Sequence, residues 1–405
     1  MFVAPSVWNS CREMDDDDSL TGVPESTNMK TNPQSICPTG TQRKRMRKDE
    51  AVVTIPDDIA FSILSLLPAS FLYEECRFAC RAWAEMLRCP QFVKSHLSRT
   101  HPSGFLIQKF NLATSTPDIQ SVAIEDWKNI RVSDVSLPSP GRIVCSSDGV
   151  VLFLRGALSS ERIQHYIANP VTGRVLKLPD PNNFELSHEF SGIARIPNTG
   201  ELKVVVLSKY YPKELSALTV GEGMQWRKLR SPPRIFKIRN FYLNHSYSVS
   251  GVVYSAEDDS VSAVDLCDES VHNVMFPEKS RWGMWGKRIV CSSDSLYLID
   301  EHPIPNNGFL RLWLLKDLHR KEWVKIQNLN ISGMPSLRGS PLPLIWLESE
   351  QVLVVKTVRK YLKGVEEVGS AESTSARVVS IGLAMGDTAW LAADSLLFPW
   401  GISMD

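Results

Sequence analysis

Three cysteines and two histidines in one short stretch are the first residues whose types suggest chemistry. Thiolates and imidazoles are the donors of structural zinc sites, where they usually come as closely spaced pairs. The spacing here is different, because eight residues separate the second cysteine from the third, and the first two fall on an apolar helical stripe. The residues are Cys76, Cys80, Cys89, His96 and His101. We therefore expect buried thiols, and we predict neither a metal site nor a cofactor.

A second cysteine pattern comes from a repeated heptapeptide. The letters RIVCSSD occupy positions 142–148 and again 288–294, which are 146 positions apart. Cys145 and Cys291 are expected to be core residues of equivalent strands, since a catalytic cysteine would not need a duplicate. The sequence shows no phosphate-binding glycine loop, nucleophile elbow or HExxH helix. We expect no enzyme; the remaining route to one is a set of His, Asp or Glu residues that converge at the mouth of a channel.

The spacing of the repeat indicates the architecture around these residues. From Phe105 onward, pairs of β-rich runs flank short polar turns, as in hairpins. Three units of about 49 residues span the two heptads, and two such units separate Trp226 from Trp323. Four strands in each unit are typical of β-propeller blades. The predicted fold is mainly β with a small α module: an N-terminal helical unit followed by a propeller of about six blades.

Composition divides the 405 residues into three segments. Residues 1–50 contain few large apolar residues and are expected to be disordered. Residues 51–100 carry apolar residues at helical spacing, and residues 101–405 are assigned to the propeller. The helical segment is too small to bury a sufficient core, so we expect it to present a binding surface. We also expect the two units to have separate cores.

Charge and hydropathy bear on the partners. Lys plus Arg and Asp plus Glu number 45 each, so there is no net charge to attract nucleic acid or anionic lipid. Neither a membrane-spanning run nor a secretory signal is recognised. We expect no nucleic-acid or membrane partner, reduced thiols, and a location in the nucleus and/or the cytoplasm. The basic run from Arg43 to Lys48 fits an import signal or a solvated flank.

The helical segment IPDDIAFSILSLLPASFLYEECRFACRAWAEML resembles an F-box. It has a Leu-Pro-like start, an Ile-Leu pair, a Leu-Pro stop and a Cys-basic-x-Trp ending. The rest of the chain resembles the F-box-associated, kelch-like propeller domain of plant F-box proteins. The motifs that carry this second resemblance are NPVTG at 169–173, GVVY at 251–254 followed by VSAVDL, and LWLLKD at 312–317 followed by Trp323.

The resemblance implies a substrate-recognition subunit of an SCF-type cullin-RING ubiquitin ligase. In such a complex the F-box docks on a Skp-type adaptor, and through it on cullin, while the propeller binds the protein to be ubiquitinated and other subunits perform catalysis. The alternative is a non-catalytic scaffold or regulatory propeller protein without a ubiquitin role. Ala79 motivates this alternative, because the family more often has Val at that position.

Two sets of contact residues are predicted. Trp83 and Ile63 fit an internal core as well as an adaptor interface, whereas Pro56, Leu67 and Pro68 favour the interface. The full adaptor set is Ile55, Pro56, Ile59, Ile63, Leu64, Leu67, Pro68, Cys80 and Trp83. A loop with aromatic and cationic residues, which are common in binding hot spots, is the substrate candidate, with packing between blades as the alternative for its tryptophans. Its residues are Arg281, Trp282, Trp285 and Arg288.

Overall fold

The structure is a computed structural model. It describes residues 55–99, 104–110, 117–126, 129–135, 141–156, 163–181, 188–208, 214–221, 223–229, 246–257, 259–277, 287–292, 294–301, 309–330, 342–347, 352–358, 367–372, 377–383 and 388–392. The predicted disordered segment 1–50, which includes the basic run, lies outside the described residues, as do Arg281, Trp282 and Trp285. Within the described ranges, no helix combines the length and hydrophobicity that a membrane span requires.

Short helices open the described chain and form the helical unit. Two prolines stand at helix starts, Pro56 before the first helix and Pro68 before the second, where a fixed φ is compatible with the turn and no N–H is needed. The elements are α1 (Asp57–Leu64), α2 (Ala69–Glu74), a 3₁₀ turn (Cys76–Phe78), α3 (Arg81–Arg88) and α4 (Pro90–Arg99). Their apolar faces meet in one small core, formed by Leu64, Ala69, Leu72, Cys76, Leu87 and Phe92.

The described strands form six four-stranded sheets, which we call blades 1 to 6. Blade 1 contains β1 (Gly104–Phe110), β2 (Pro117–Asp126) and β3 (Asn129–Asp134). Blade 2 contains β4 (Arg142–Ser147), β5 (Val150–Arg155), β6 (Gln164–Asn169) and β7 (Arg174–Lys177). Blade 3 contains β8 (His188–Arg195), β9 (Leu202–Ser208), β10 (Leu215–Thr219) and β11 (Arg227–Lys228).

The second half of the chain supplies the other three blades. Blade 4 contains β12 (Ser246–Val249), β13 (Val252–Ala256), β14 (Ser260–Asp265) and β15 (Val271–Met275). Blade 5 contains β16 (Lys287–Cys291), β17 (Leu296–Glu301), β18 (Phe309–Asp317) and β19 (Glu322–Asn330). Blade 6 contains β20 (Leu342–Leu347), β21 (Val352–Val358), β22 (Glu367–Glu372) and β23 (Arg377–Leu383). The last strand, β24 (Thr388–Ala392), joins blade 1.

The ring closes by pairing the two ends of the propeller. Strand β24 pairs antiparallel with β1, with Gly104 opposite Ala392. The innermost strands β24, β4, β8, β12, β16 and β20 each contact the next around the ring. Strands pair antiparallel in blades 1 to 5, whereas in blade 6 β21 pairs with β23 in parallel. The predicted mainly β fold, with an N-terminal helical unit and about six blades, is confirmed.

The two tryptophans Trp226 and Trp323 connect neighbouring blades. Trp226, in blade 3, donates its indole N–H to the Pro179 carbonyl at 2.7 Å, at the outer edge of blade 2. Trp323, on β19 of blade 5, donates to the Met275 carbonyl at 3.1 Å, at the end of β15 in blade 4. Both indoles are half-buried, and a half-buried indole usually finds one hydrogen-bond acceptor. The two tryptophans therefore make equivalent contacts at joints that are two blades apart.

The repeated heptapeptides begin blades 2 and 5, which are three blades apart and therefore opposite each other in a ring of six. Cys145 is fully buried on β4. Cys291 lies on β16 and is half-buried. Burial raises the pKa of the Cys291 thiol to about 12, with a further rise from Cys145, so the two thiols lie near each other. The repeat thus places like residues on facing inner strands.

The helical unit rests on the propeller through α4. Val93 and Leu97 pack against the apolar core between blades 2 and 3, while Val171, in the turn after β6, packs against the core of the helical unit. The buried residues of the two units still form separate clusters, and the joint between them is made by partly buried side chains. Helix α4 ends at Arg99 and β1 begins at Gly104, so the predicted boundary near residue 101 lies in the connection.

Candidate functional site

An exposed apolar stripe follows α1 on the side away from the core. Ile55, Ile59 and Ile63 are 43%, 48% and 47% exposed, and Leu66 in the next turn is 75% exposed. Spacings of four, four and three residues put these side chains on one helical face. We call these four residues the apolar stripe. Several adjacent exposed aliphatic side chains of this size are typical of a protein-binding surface.

Two phenylalanines extend the exposed apolar surface of the helical unit. Phe71 is 42% exposed and Phe78 is 70% exposed. The Arg77 guanidinium lies between two rings, 3.8 Å from the Tyr73 centroid and 4.3 Å from the Phe78 centroid. This stacking holds the Phe78 ring outward by cation–π attraction, and it adds an aromatic and cationic group of the kind found in hot spots.

The structure sorts the predicted adaptor residues into three groups. Five are exposed: Ile55, Pro56, Ile59, Ile63 and Pro68. Three are half-buried: Leu67, Cys80 and Trp83, of which Leu67 and Trp83 pack against the core of the helical unit. One is fully buried, and that residue is Leu64.

Leu64 belongs to the core of the helical unit. Successive residues of an α-helix are turned by about 100°, so neighbours such as Ile63 and Leu64 do not face the same way. Leu64 has no exposed surface to offer an adaptor in this conformation, which corrects its assignment as a contact. Adaptor contact by the other eight residues stays a prediction. Leu66, Phe71 and Phe78 are also exposed but were not among the predicted residues, although a step of three residues from Ile63 reaches Leu66.

Cys76 and His96 both take part in the packing of the helical unit. Cys76 is buried, and burial, followed by the charge of Glu75, raises the pKa of its thiol to about 11. The His96 ring donates through Nε2 to the Leu67 carbonyl at 2.8 Å, which ties α4 to the turn after α1. His101 lies outside the described residues.

Of the predicted substrate loop, Arg288 falls within the described residues. It is half-buried on β16. Burial raises the pKa of Tyr247 to about 12, Cys291 adds to the rise, and Arg288 opposes it. Arg288, on the inner strand β16, therefore lies close to Tyr247 on the inner strand β12. Substrate binding by the four loop residues stays a prediction.

Comparisons with known proteins place these features in context. No protein-family model matches the chain. The chain is 26% identical over 289 residues to F-box protein At5g65850 of Arabidopsis thaliana, covering 69% of this chain and 71% of the relative. It is also 26% identical over 303 residues to the putative F-box protein At1g46984 of the same plant, covering 70% and 75%.

Another Arabidopsis thaliana relative carries the kelch designation. The F-box/kelch-repeat protein At2g43445 is 24% identical over 252 residues, covering 60% of this chain and 58% of the relative. Among solved structures, TolB from Acinetobacter baumannii aligns over 77% of this chain and 73% of its own at 12% identity, with a TM-score of 0.38. These curated relatives support the predicted resemblance to plant F-box proteins.

Proposed function

We propose that this protein is a substrate-recognition subunit of an SCF-type cullin-RING ubiquitin ligase. Its helical unit docks on a Skp-type adaptor, and its propeller binds the protein to be ubiquitinated. The observation that carries the proposal is the apolar stripe on α1, because a small helical unit with exposed isoleucines at helical spacing fits a helix-in-groove interface. The F-box relatives support the same role.

The energetic reason for docking lies in the exposed aliphatic surface. Burying one Ile or Leu side chain stabilises an interface by roughly 1.5–3 kcal/mol, before the entropic cost of association is subtracted. Ile59 and Ile63 lie in the middle of the stripe, with Ile55 and Leu66 at its two ends. Central positions that lose all contact with water are where hot spots concentrate, so we assign the anchoring role to Ile59 and Ile63.

The propeller is packed directly against the helical unit, which fixes the position of a substrate bound to it. Val93 and Leu97 of α4 anchor the helical unit on blades 2 and 3, so the two binding surfaces are held by continuous packing and not by a free linker. A ring whose turns vary on a fixed scaffold suits selective binding. The chain then acts by positioning its partner, and the chemistry of ubiquitin transfer lies in other subunits.

Co-purification of the tagged full chain from plant cells tests this role. We expect a Skp-type adaptor and cullin to be recovered together, and the assembled complex to transfer ubiquitin to proteins bound by the propeller. A sibling F-box protein, purified in parallel, shows that the conditions preserve such complexes. Recovery of neither subunit alongside a positive sibling would instead support the scaffold reading, in which the helical unit has a different partner.

A further inference from the structure

Two carboxylates and an imidazole meet between blades 4 and 5, outside the surfaces discussed so far. Asp265 ends β14 and Asp268 lies in the turn that follows, while His319 lies in the corresponding turn between β18 and β19 of the next blade. One ligand atom from each residue lies within 4.8 Å of the others. The three donors thus come from equivalent turns of two neighbouring blades.

Asp265 is buried, and no lysine or arginine forms an ion pair with it among the described residues. It is 9% exposed, and its Oδ1 accepts a hydrogen bond from the Cys267 backbone N–H at 2.8 Å. The other buried carboxylate in the described ranges, Asp300, pairs with Arg311. Pairing with a cation or coordination of a metal ion would lower the cost of burying this charge.

Nearby basic side chains are engaged elsewhere. The Lys203 ammonium donates to the Leu266 carbonyl at 3.2 Å, and Arg227 pairs with Glu269. Neither forms an ion pair with Asp265 or Asp268 in the described part of the chain. Asp268 instead accepts the Ser270 N–H at 2.8 Å, which fixes its carboxylate in the turn.

A second histidine supports the imidazole of the cluster. The His272 ring, on β15, meets the His319 ring edge to face with centroids 4.9 Å apart, and its Nε2 lies 2.7 Å from the Ser270 hydroxyl. This edge-to-face contact between β15 and the turn after β18 holds the His319 ring at the cluster. A neutral imidazole offers a nitrogen lone pair to a metal ion.

We propose that Asp265, Asp268 and His319 bind a zinc ion that clamps blade 4 to blade 5. Imidazole together with carboxylate oxygens suits zinc better than magnesium or calcium, which prefer all-oxygen sites. His272 is a positioning residue that orients the His319 ring. The ion neutralises the buried Asp265 charge and links two turns that no peptide bond connects.

Zinc titration of the full chain, after chelator treatment, tests the site. We expect one zinc ion per chain that survives gel filtration, whereas Asp268→Asn and His319→Gln each weaken binding. Loss of an outer-shell partner alone typically costs about 10- to 100-fold in metal affinity, so loss of a ligand should cost at least about tenfold. Both substitutions are at exposed positions, which leaves the fold intact, and zinc should raise the thermal midpoint of the unsubstituted chain more than that of either variant.

Asp259→Asn is the matched control. Asp259 is an exposed carboxylate just before β14, at the opposite end of that strand from Asp265, and its substitution should leave zinc affinity unchanged. Cobalt substituted for zinc should show ligand-field bands without the intense thiolate charge-transfer absorption of a cysteine site. Absence of stoichiometric zinc, equal affinity in all variants, or a thiolate band that assigns the metal to cysteines would each overturn the proposal.

Discussion

Asp300 and Arg311 form a buried ion pair in the middle of blade 5. They lie directly opposite each other on β17 and β18, and both are less than a tenth exposed. A buried pair of this kind is costly to break from one side, because the remaining charge stays buried. It therefore gives a sharp test of how blade 5 tolerates an unbalanced charge.

We expect Asp300→Ala to destabilise the protein by about 3–5 kcal/mol, since the Arg311 guanidinium loses its counter-charge. Urea unfolding followed by tryptophan fluorescence measures the change. The double variant Asp300→Leu with Arg311→Met removes both charges and should recover most of the lost stability. A double variant as unstable as the single one would show that packing, and not charge, sets the cost.

Buried thiols give the protein a pH dependence at alkaline pH. Burial raises the pKa of Cys145 to about 11, against an ordinary value of 9.0. Between about pH 9 and 11 the Cys145 thiol therefore keeps its proton in the folded state and loses it in the unfolded state. The free energy of unfolding does not depend on this thiol below about pH 9, and it falls as the pH rises from about 9 to 11. By pH 10.5 the loss from this one group is on the order of 1–2 kcal/mol.

Cys145→Ser isolates this contribution, because the serine hydroxyl does not ionise in this range. We expect the urea midpoint of the unsubstituted chain to fall more steeply between pH 8 and 10.5 than that of the variant. Cys145 also contributes to the raised pKa values of Cys291 and Tyr247, so the difference includes that smaller contribution, and the remaining groups cancel. Parallel pH profiles would contradict the assignment of a raised pKa to Cys145.

At the scale of elements, close approach between strands fixes how blades 3 and 4 pack. A Cβ atom placed on Gly192, in β8, would lie 2.2 Å from Val253 Cγ1 of β13 and 3.3 Å from the Ser246 hydroxyl oxygen of β12. Val253 is fully buried and cannot turn into solvent. The absence of a side chain at Gly192 is thus what lets β13 approach β8.

Gly192→Ala should destabilise the propeller by about 1–3 kcal/mol, which is the usual cost of overpacking a close-packed core. Thermal unfolding followed by circular dichroism reads out the shift. Combining it with Val253→Ala makes room for the new methyl group, so the two changes should be less than additive. Simple additivity would indicate that the blades shift apart without a clash.

Sequence reasoning succeeds for elements that repeat and fails where elements from different repeats meet. The 146-residue interval between the heptads predicted blades three apart, and the tryptophans predicted blades two apart, because each blade repeats its local pattern. Pairing of β24 with β1 follows from no local pattern. The cluster of Asp265, Asp268 and His319 was missed for the same reason, since its ligands come from two repeats and lack a motif spacing.

The candidate site shows the same division at finer detail. Apolar positions at helical spacing were enough to find α1 and its exposed isoleucines. Choosing between Ile63 and Leu64 required the direction of each side chain, which the F-box pattern does not give. The joint made by Val93, Leu97 and Val171 was also missed, because a contact between a helix and a distant turn leaves no periodic signal.

At the scale of the whole molecule, the helical unit is joined to the propeller by direct packing. The turn after β6 in blade 2 contacts the helical unit, and the turns after β14 and β18, which hold the proposed zinc ligands, occupy the equivalent place in blades 4 and 5. Turns at equivalent places in successive blades share one face of the ring. The face that supports the helical unit is therefore also the face where zinc would brace the propeller.

The direct test of the account is calorimetric binding of a purified Skp-type adaptor to the full chain. Ile59→Glu with Ile63→Glu should weaken binding by about 30-fold or more, as expected when interface hot spots are lost. Gln91→Glu with Lys94→Gln, at exposed positions of α4, changes the net charge equally and should bind like the unsubstituted chain. Equal affinity of all three proteins, or no binding by the unsubstituted chain, would contradict the assignment of the apolar stripe as the adaptor surface.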